Sequence, residues 1–98
     1  MVTKIEWSKR FAEDAKNIII FLRENASENT IDIFKIKLEN KILKIAEYPE
    51  TGRKARSKKS IRYVKFLKHY HLFYRITGSM LYISAIFDTR QNPTKRPF

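Results

Sequence analysis

Ninety-eight residues is the length of one domain, and 43% hydrophobic with 13% aromatic residues is enough to bury a core, which argues against a wholly disordered chain. No cysteine is present, which excludes a disulfide framework, a thiolate zinc site and a cysteine nucleophile. The net charge of +11 is polarised: residues 1–50 hold nine Lys/Arg and nine Asp/Glu, whereas residues 51–98 hold twelve Lys/Arg and a single acid, Asp88.

The elements follow in chain order. Val2 to Trp7 alternates as a short strand. Ser8 is a good N-cap, and Phe11, Ala15, Ile18, Ile19 and Leu22 then recur at helical spacing to about Asn25. Ser27 or Asn29 caps a second helix with the stripe Ile31, Phe34, Leu38, Ile42 and Ile45, and the short junction makes the pair an antiparallel hairpin. Ile20 falls roughly opposite the first stripe, and Ile33, Ile36 and Leu43 form a second patch on the second helix. Ile36 and Leu43 are expected to pack on the neighbouring helix; any remainder left exposed suits a partner protein.

From Tyr48 to Ser60 the pattern stops at Pro49 and Gly52, and Arg53, Lys54, Arg56, Lys58 and Lys59 predict a mobile, solvated basic loop. Three strand-like runs follow: Ile61–Leu67, Tyr70–Thr77 and Met80–Phe87, the last two joined by the hairpin signal Gly78-Ser79. The tail from Asp88 to Phe98, with Pro93 and Pro97, reads as irregular. One α+β domain over residues 1–98 is expected, in the order β-α-α-β-β-β. The helical hairpin covers one face of a mostly antiparallel four-stranded sheet, and the other face stays partly open.

Alternation assigns side chains to the two faces. Tyr70, Leu72, Tyr74 and Ile76 make the better core, which turns His71, Phe73 and Arg75 to the open side. Tyr63 and Lys65 are taken as outward, as is Tyr82; Leu81, Ile83, Ala85 and Phe87 are taken as inward. The open face then bears Tyr63, Lys65, His71, Phe73, Arg75 and Tyr82, flanked by Arg53, Arg56 and Arg90. Cations beside flat rings suit single-stranded RNA, because phosphates pair with Lys/Arg and bases stack on rings; ordinary sheet residues would give the same composition. His69 and His71 form an H-x-H pair, but two imidazoles among cations make a poor metal site, and no metal or cofactor is expected. A histidine among arginines has its neutral form favoured, which suits a general base for a ribose hydroxyl. No membrane span or signal peptide is visible, and the expectation is a soluble cytoplasmic protein.

Four segments in order, Ile5-Glu6-Trp7-Ser8, Tyr48-Pro49-Glu50-Thr51-Gly52-Arg53, Tyr70-His71-Leu72-Phe73-Tyr74-Arg75-Ile76 and Phe87-Asp88-Thr89-Arg90-Gln91-Asn92-Pro93, resemble the toxins of the RelE/ParE superfamily. The resemblance runs through about residues 2–95. It implies a growth-inhibiting toxin of a type II toxin–antitoxin pair, neutralised by a cognate antitoxin in a hetero-oligomer. An acidic antitoxin complements the basic charge, and Ile20, Ile33 and Ile36 would be its apolar contacts. Within the superfamily, RelE-like members cleave ribosome-bound messenger RNA and ParE-like members inhibit DNA gyrase. Arg90 matches the arginine that RelE-like nucleases carry after the last strand, and His71 falls where some place a catalytic arginine. Their C-terminal tyrosine has no counterpart, since Phe98 lacks a hydroxyl. The incomplete set favours a ParE-like gyrase inhibitor. The alternatives are a ribosome-dependent nuclease using His71 and Arg90, and, more remotely, a non-toxic basic RNA-binding module.

Overall fold

The computed structural model describes residues 2–90 and 93–98; Gln91 and Asn92 of the Asp88–Pro93 segment lie outside them. The elements are β1 (Lys4–Trp7), α1 (Lys9–Asn25), α2 (Glu28–Glu47), β2 (Arg53–Lys54), β3 (Arg62–Phe66), β4 (Tyr70–Thr77), β5 (Met80–Asp88) and a 3-10 turn (Pro93–Lys95). The α+β class and the helical hairpin on one face are as expected. The sheet has five strands rather than four, in the order β1-β5-β4-β3-β2, with β1 parallel to β5 and every other pair antiparallel.

The extra strand is β2, whose Arg53 and Lys54 pair with Tyr63 and Arg62. Two residues are too few to show a period in sequence. The stretch read as a mobile loop is therefore tied down in its first half. The Tyr74 hydroxyl donates to Pro49 O at 2.7 Å and accepts from Gly52 N at 3.0 Å, while Arg62 Nη1 donates to Gly52 O at 2.8 Å. Ala55 is buried, and its N–H reaches Ile61 O at 2.7 Å.

The hairpin covers one face of the sheet. Phe11, Phe34 and Ile45 pack on Phe66, Tyr70, Leu72, Tyr74, Leu81, Ile83 and Ile86, and Ile18, Ile19, Leu22, Leu38 and Ile42 fill the remaining space. The phenyl ring of Phe34 meets Phe66 and Tyr70 at 5.6 and 6.0 Å. Of the two candidate caps, Ser27 starts α2 by accepting from Thr30 N. Ile36 and Leu43 were expected to pack on the neighbouring helix, but they stand 59% and 53% exposed. They lie on the side of α2 turned away from its main stripe.

A bulge in β5 overturns another expectation. Phe73 pairs with Ala85 and Tyr74 with Ile83, so Ser84 is an extra residue and the alternation reverses there. Leu81, Ile83 and Ile86 face the helices, whereas Ala85 and Phe87, read as inward with Leu81, belong to the opposite face. The bulge sits where β1 ends opposite Ile83 and leaves the β5 edge without a strand partner. Helix α1 supplies the missing partners: Ser8 Oγ donates to Ser84 O at 2.6 Å, and Asp14 Oδ2 accepts from Ile86 N at 3.2 Å. Burial raises the pKa of Asp14, against the opposing pull of that N–H and of Arg10. Ser8 Oγ also accepts from Phe11 N at 2.9 Å as the α1 cap. Ser8→Ala removes both bonds and is expected to cost about 1–2 kcal/mol, read as a lower urea midpoint. An unchanged midpoint would show that neither bond supports the fold.

Candidate functional site

The face opposite the helices is assembled by the β3–β4 register, which sets Tyr63 beside Phe73 and Lys65 beside His71. The imidazole of His71 stacks on the Tyr63 ring at 4.7 Å and 29°, and the Phe73 ring meets Tyr63 at 5.5 Å. The tail returns over these rings. Arg96 places its guanidinium 4.8 Å from the Tyr63 centroid and 5.1 Å from that of Phe73, and its Nη1 lies 3.0 Å from His71 Nδ1. Phe98 packs on Phe73 at 5.5 Å, and its carbonyl accepts from Arg96 Nε at 3.3 Å. Ala55, Ile61, Phe73, Ala85 and Phe87 are thereby buried as a small second core, with Tyr63 and Phe98 at its margin. The face expected to lie open is sealed at its centre.

Two grooves flank this centre. One, of about 1040 Å³, runs between the basic loop and the tail and is lined by Arg53, Lys54, Arg56, Lys59, Tyr63, His71, Arg96 and Phe98. The other, of about 620 Å³, lies between the end of α2 and β3 and is lined by Lys41, Lys44, Tyr48, Arg53, Tyr63, Lys65 and His71. His71 and Tyr63 line both. Burial lowers the His71 pKa first, and the positive charges of Arg96 and Lys65 lower it further. Among the described residues, no three His, Cys, Asp or Glu side chains converge as a metal site would need. No helix among them is long and apolar enough to cross a membrane.

Comparison with protein families matches residues 5–93 to the ParE toxin of type II toxin–antitoxin systems, parDE. The chain belongs to the ParE toxin family. A search of curated proteins found no match. Among solved structures, a chain described as "Chromosomal ParDE TA system from P. aeruginosa" is similar at a TM-score of 0.76 and 12% identity, covering 89% of this chain and 96% of that one. A second, "crystal structure of YafQ from E.coli strain BL21(DE3)", is similar at a TM-score of 0.52 and 22% identity, covering 89% and 93%. At these identities the two structures speak to the fold alone. ParE-family membership makes the chain the toxin component of a toxin–antitoxin pair and implies an antitoxin as its partner.

In this ParE-family chain the residues singled out by sequence divide into three groups. Tyr63, Lys65, His71 and Phe73 come together, although Phe73 is 0% exposed and forms the floor of the face rather than a contact surface. Arg75 and Tyr82 pair across β4 and β5 on the same side, with the guanidinium 5.0 Å over the ring. Arg53 and Arg56 line the larger groove. Arg90 stands apart: its Nε and Nη2 donate to Asp88 at 3.0 and 2.8 Å, and its backbone N–H to the same carboxylate at 2.9 Å. Asp88 pairs with Tyr70 on the helix-facing side of the sheet, so Arg90 and His71 are directed to opposite faces. Of the apolar positions, Ile20 and Ile33 are exposed, as Ile36 is, and Phe21 joins them. Sequence reasoning missed Arg96, Phe98, Lys41 and Lys44. The two α2 lysines had a legible signal in their spacing of three. The two tail residues had none.

Proposed function

We propose that this toxin arrests growth by binding, as an inhibitor of DNA gyrase acting in the cytoplasm. Its target surface is the face of Arg53, Arg56, Tyr63, Lys65, Arg75 and Tyr82, with Phe73 beneath. The observation that carries this reading is the separation of His71 from Arg90, because acid–base catalysis of RNA cleavage needs its groups within hydrogen-bond reach of one scissile phosphate. Arg90 is occupied by Asp88 in a bidentate pair, and Asp88 is held below the usual carboxylate range by that partner. The exposed Ile20, Ile33 and Ile36 supply the apolar surface for the antitoxin, whose acidic segment would complement the +11 charge.

The direct test is supercoiling by purified gyrase. Increasing toxin is expected to abolish it, and the double change Arg53→Glu with Lys65→Glu to raise the concentration needed by at least about tenfold, or roughly 1.4 kcal/mol. Unchanged supercoiling at saturating protein would remove the proposal. The larger groove, with five cations beside Tyr63 and Phe98, supports a second reading as a messenger-RNA nuclease. Cleavage of ribosome-bound message, abolished by Arg90→Ala, would establish it instead. Unimpaired growth on expression without an antitoxin would favour a non-toxic RNA-binding module over both.

A further inference from the structure

The contact between Arg96 and His71 has a chemical consequence for the whole face. An arginine guanidinium has only N–H donors and stays charged at every physiological pH. With Nη1 3.0 Å from Nδ1, the hydrogen bond therefore runs from Arg96 to His71, and Nδ1 must carry a lone pair. A neutral imidazole whose Nδ1 accepts holds its proton on Nε2. Protonating Nδ1 would turn the bond into an N–H facing an N–H, between two cations.

We infer that Arg96 is the positioning residue of this face, holding His71 as the neutral tautomer protonated at Nε2, so that the imidazole acts as a hydrogen-bond donor and not as a base. The geometry around both residues supports this. Arg96 is fixed from two sides, by the Tyr63 and Phe73 rings and by the Phe98 carbonyl. His71 is held flat on Tyr63. The titratable and charged side chains that share its grooves are Tyr63 and Lys65 from β3, Arg53 and Lys54 from β2, Arg56 and Lys59 from the loop after it, Lys41 and Lys44 from α2 with Tyr48 at its end, and Arg96 from the tail. None of these side chains is a carboxylate, so none of them favours the imidazolium, and the lowered pKa of His71 agrees.

Two properties follow. The face offers N–H donors at Arg53, Lys65 and His71, so it takes partners through anionic or carbonyl acceptors. His71 also has no free lone pair with which to remove a proton from a ribose hydroxyl, and the loss of that role is built in by a residue 25 positions away. The ligand chemistry rests on the binding reading above; the tautomer does not.

The test is nitrogen-15 NMR of the imidazole in His69→Gln protein, which leaves His71 as the one histidine. The expected pattern is a protonated Nε2 and an unprotonated Nδ1, with titration below the ordinary histidine range of about 6.5. Arg96→Met keeps a long side chain over the two rings but has no donor or charge. It is expected to move the titration up toward the ordinary value and to allow a mixture of tautomers. The folded state of the parent holds fewer protons on His71 than the unfolded state does. That contribution to stability is complete above about pH 6.5 and is lost as pH falls toward the folded pKa. Arg96→Met should flatten this acid limb of the unfolding profile. An Nδ1-protonated parent would overturn the inference without any Arg96 variant, and so would a titration unmoved by Arg96→Met. Failure to inhibit gyrase with the tautomer intact would count against the target and leave this assignment standing.

Discussion

Phe73→Ala is expected to lower stability by about 3–5 kcal/mol, a large share of the roughly 5–15 kcal/mol that holds a domain together. Phe73 is fully buried in the second core, between Ala55, Ile61, Ala85 and Phe87 below and the tail above. Truncation removes the transfer free energy of the ring and leaves a cavity that the β-sheet backbone cannot close. It also takes away one of the two rings under Arg96 and the ring on which Phe98 rests. The loss should therefore appear twice: as a lower urea midpoint and as a His71 resonance that drifts toward that of Arg96→Met. Phe73→Leu separates the two effects. It keeps most of the volume, so the stability cost should stay under about 1.5 kcal/mol, while the cation–π contact of about 0.5–2 kcal/mol is lost. An alanine variant within about 1 kcal/mol of the parent would mean that the tail, and not the ring, supports this face.

The second large effect is expected at Gly52. A Cβ there would fall on the Tyr74 hydroxyl and lie 2.9 Å from its Cε1 and 3.0 Å from its Cζ, in a buried turn with no room to retreat. Gly52→Ala must displace the ring, at about 1–3 kcal/mol for overpacking. It also breaks the bonds from the hydroxyl to Pro49 O and from Gly52 N, at about 1–3 kcal/mol for each buried group left unpaired. Tyr74→Phe loses the bonds without the clash and should cost less. Combined, the two changes should cost less than their sum, because deleting the hydroxyl relieves the steric conflict. Strict additivity in that double-mutant cycle would show that the methyl group does not act through Tyr74. The turn feeds β2, so Gly52→Ala should also loosen Arg53 and weaken target binding.

Much of this architecture is legible along the chain because it is periodic over short distances. The stripe from Ile31 to Ile45, the Ser8 cap, the Gly78-Ser79 turn and the alternation of Tyr70 to Arg75 each need only neighbours a few residues away, and all appear where the spacing predicts. The concentration of positive charge after residue 50 is equally a property of the chain alone. So are the motifs that resemble RelE/ParE toxins, and the chain belongs to the ParE toxin family.

Other features depend on backbone or side chains brought in from far away. Ser84 bulges where β1 stops and α1 begins, so the face occupied by Ala85 and Phe87 is set by residues more than 70 positions earlier. Arg96 and Phe98 carry no pattern of their own and gain a role only when the tail crosses β3 and β4. Arg90, beside a matching motif, is turned from His71 by the two-residue step to Asp88 and by the side of the sheet on which Asp88 falls. Local periodicity follows from bond geometry repeated every two or 3.6 residues. Which groups finally meet depends on how separate segments close against one another, and no period records that.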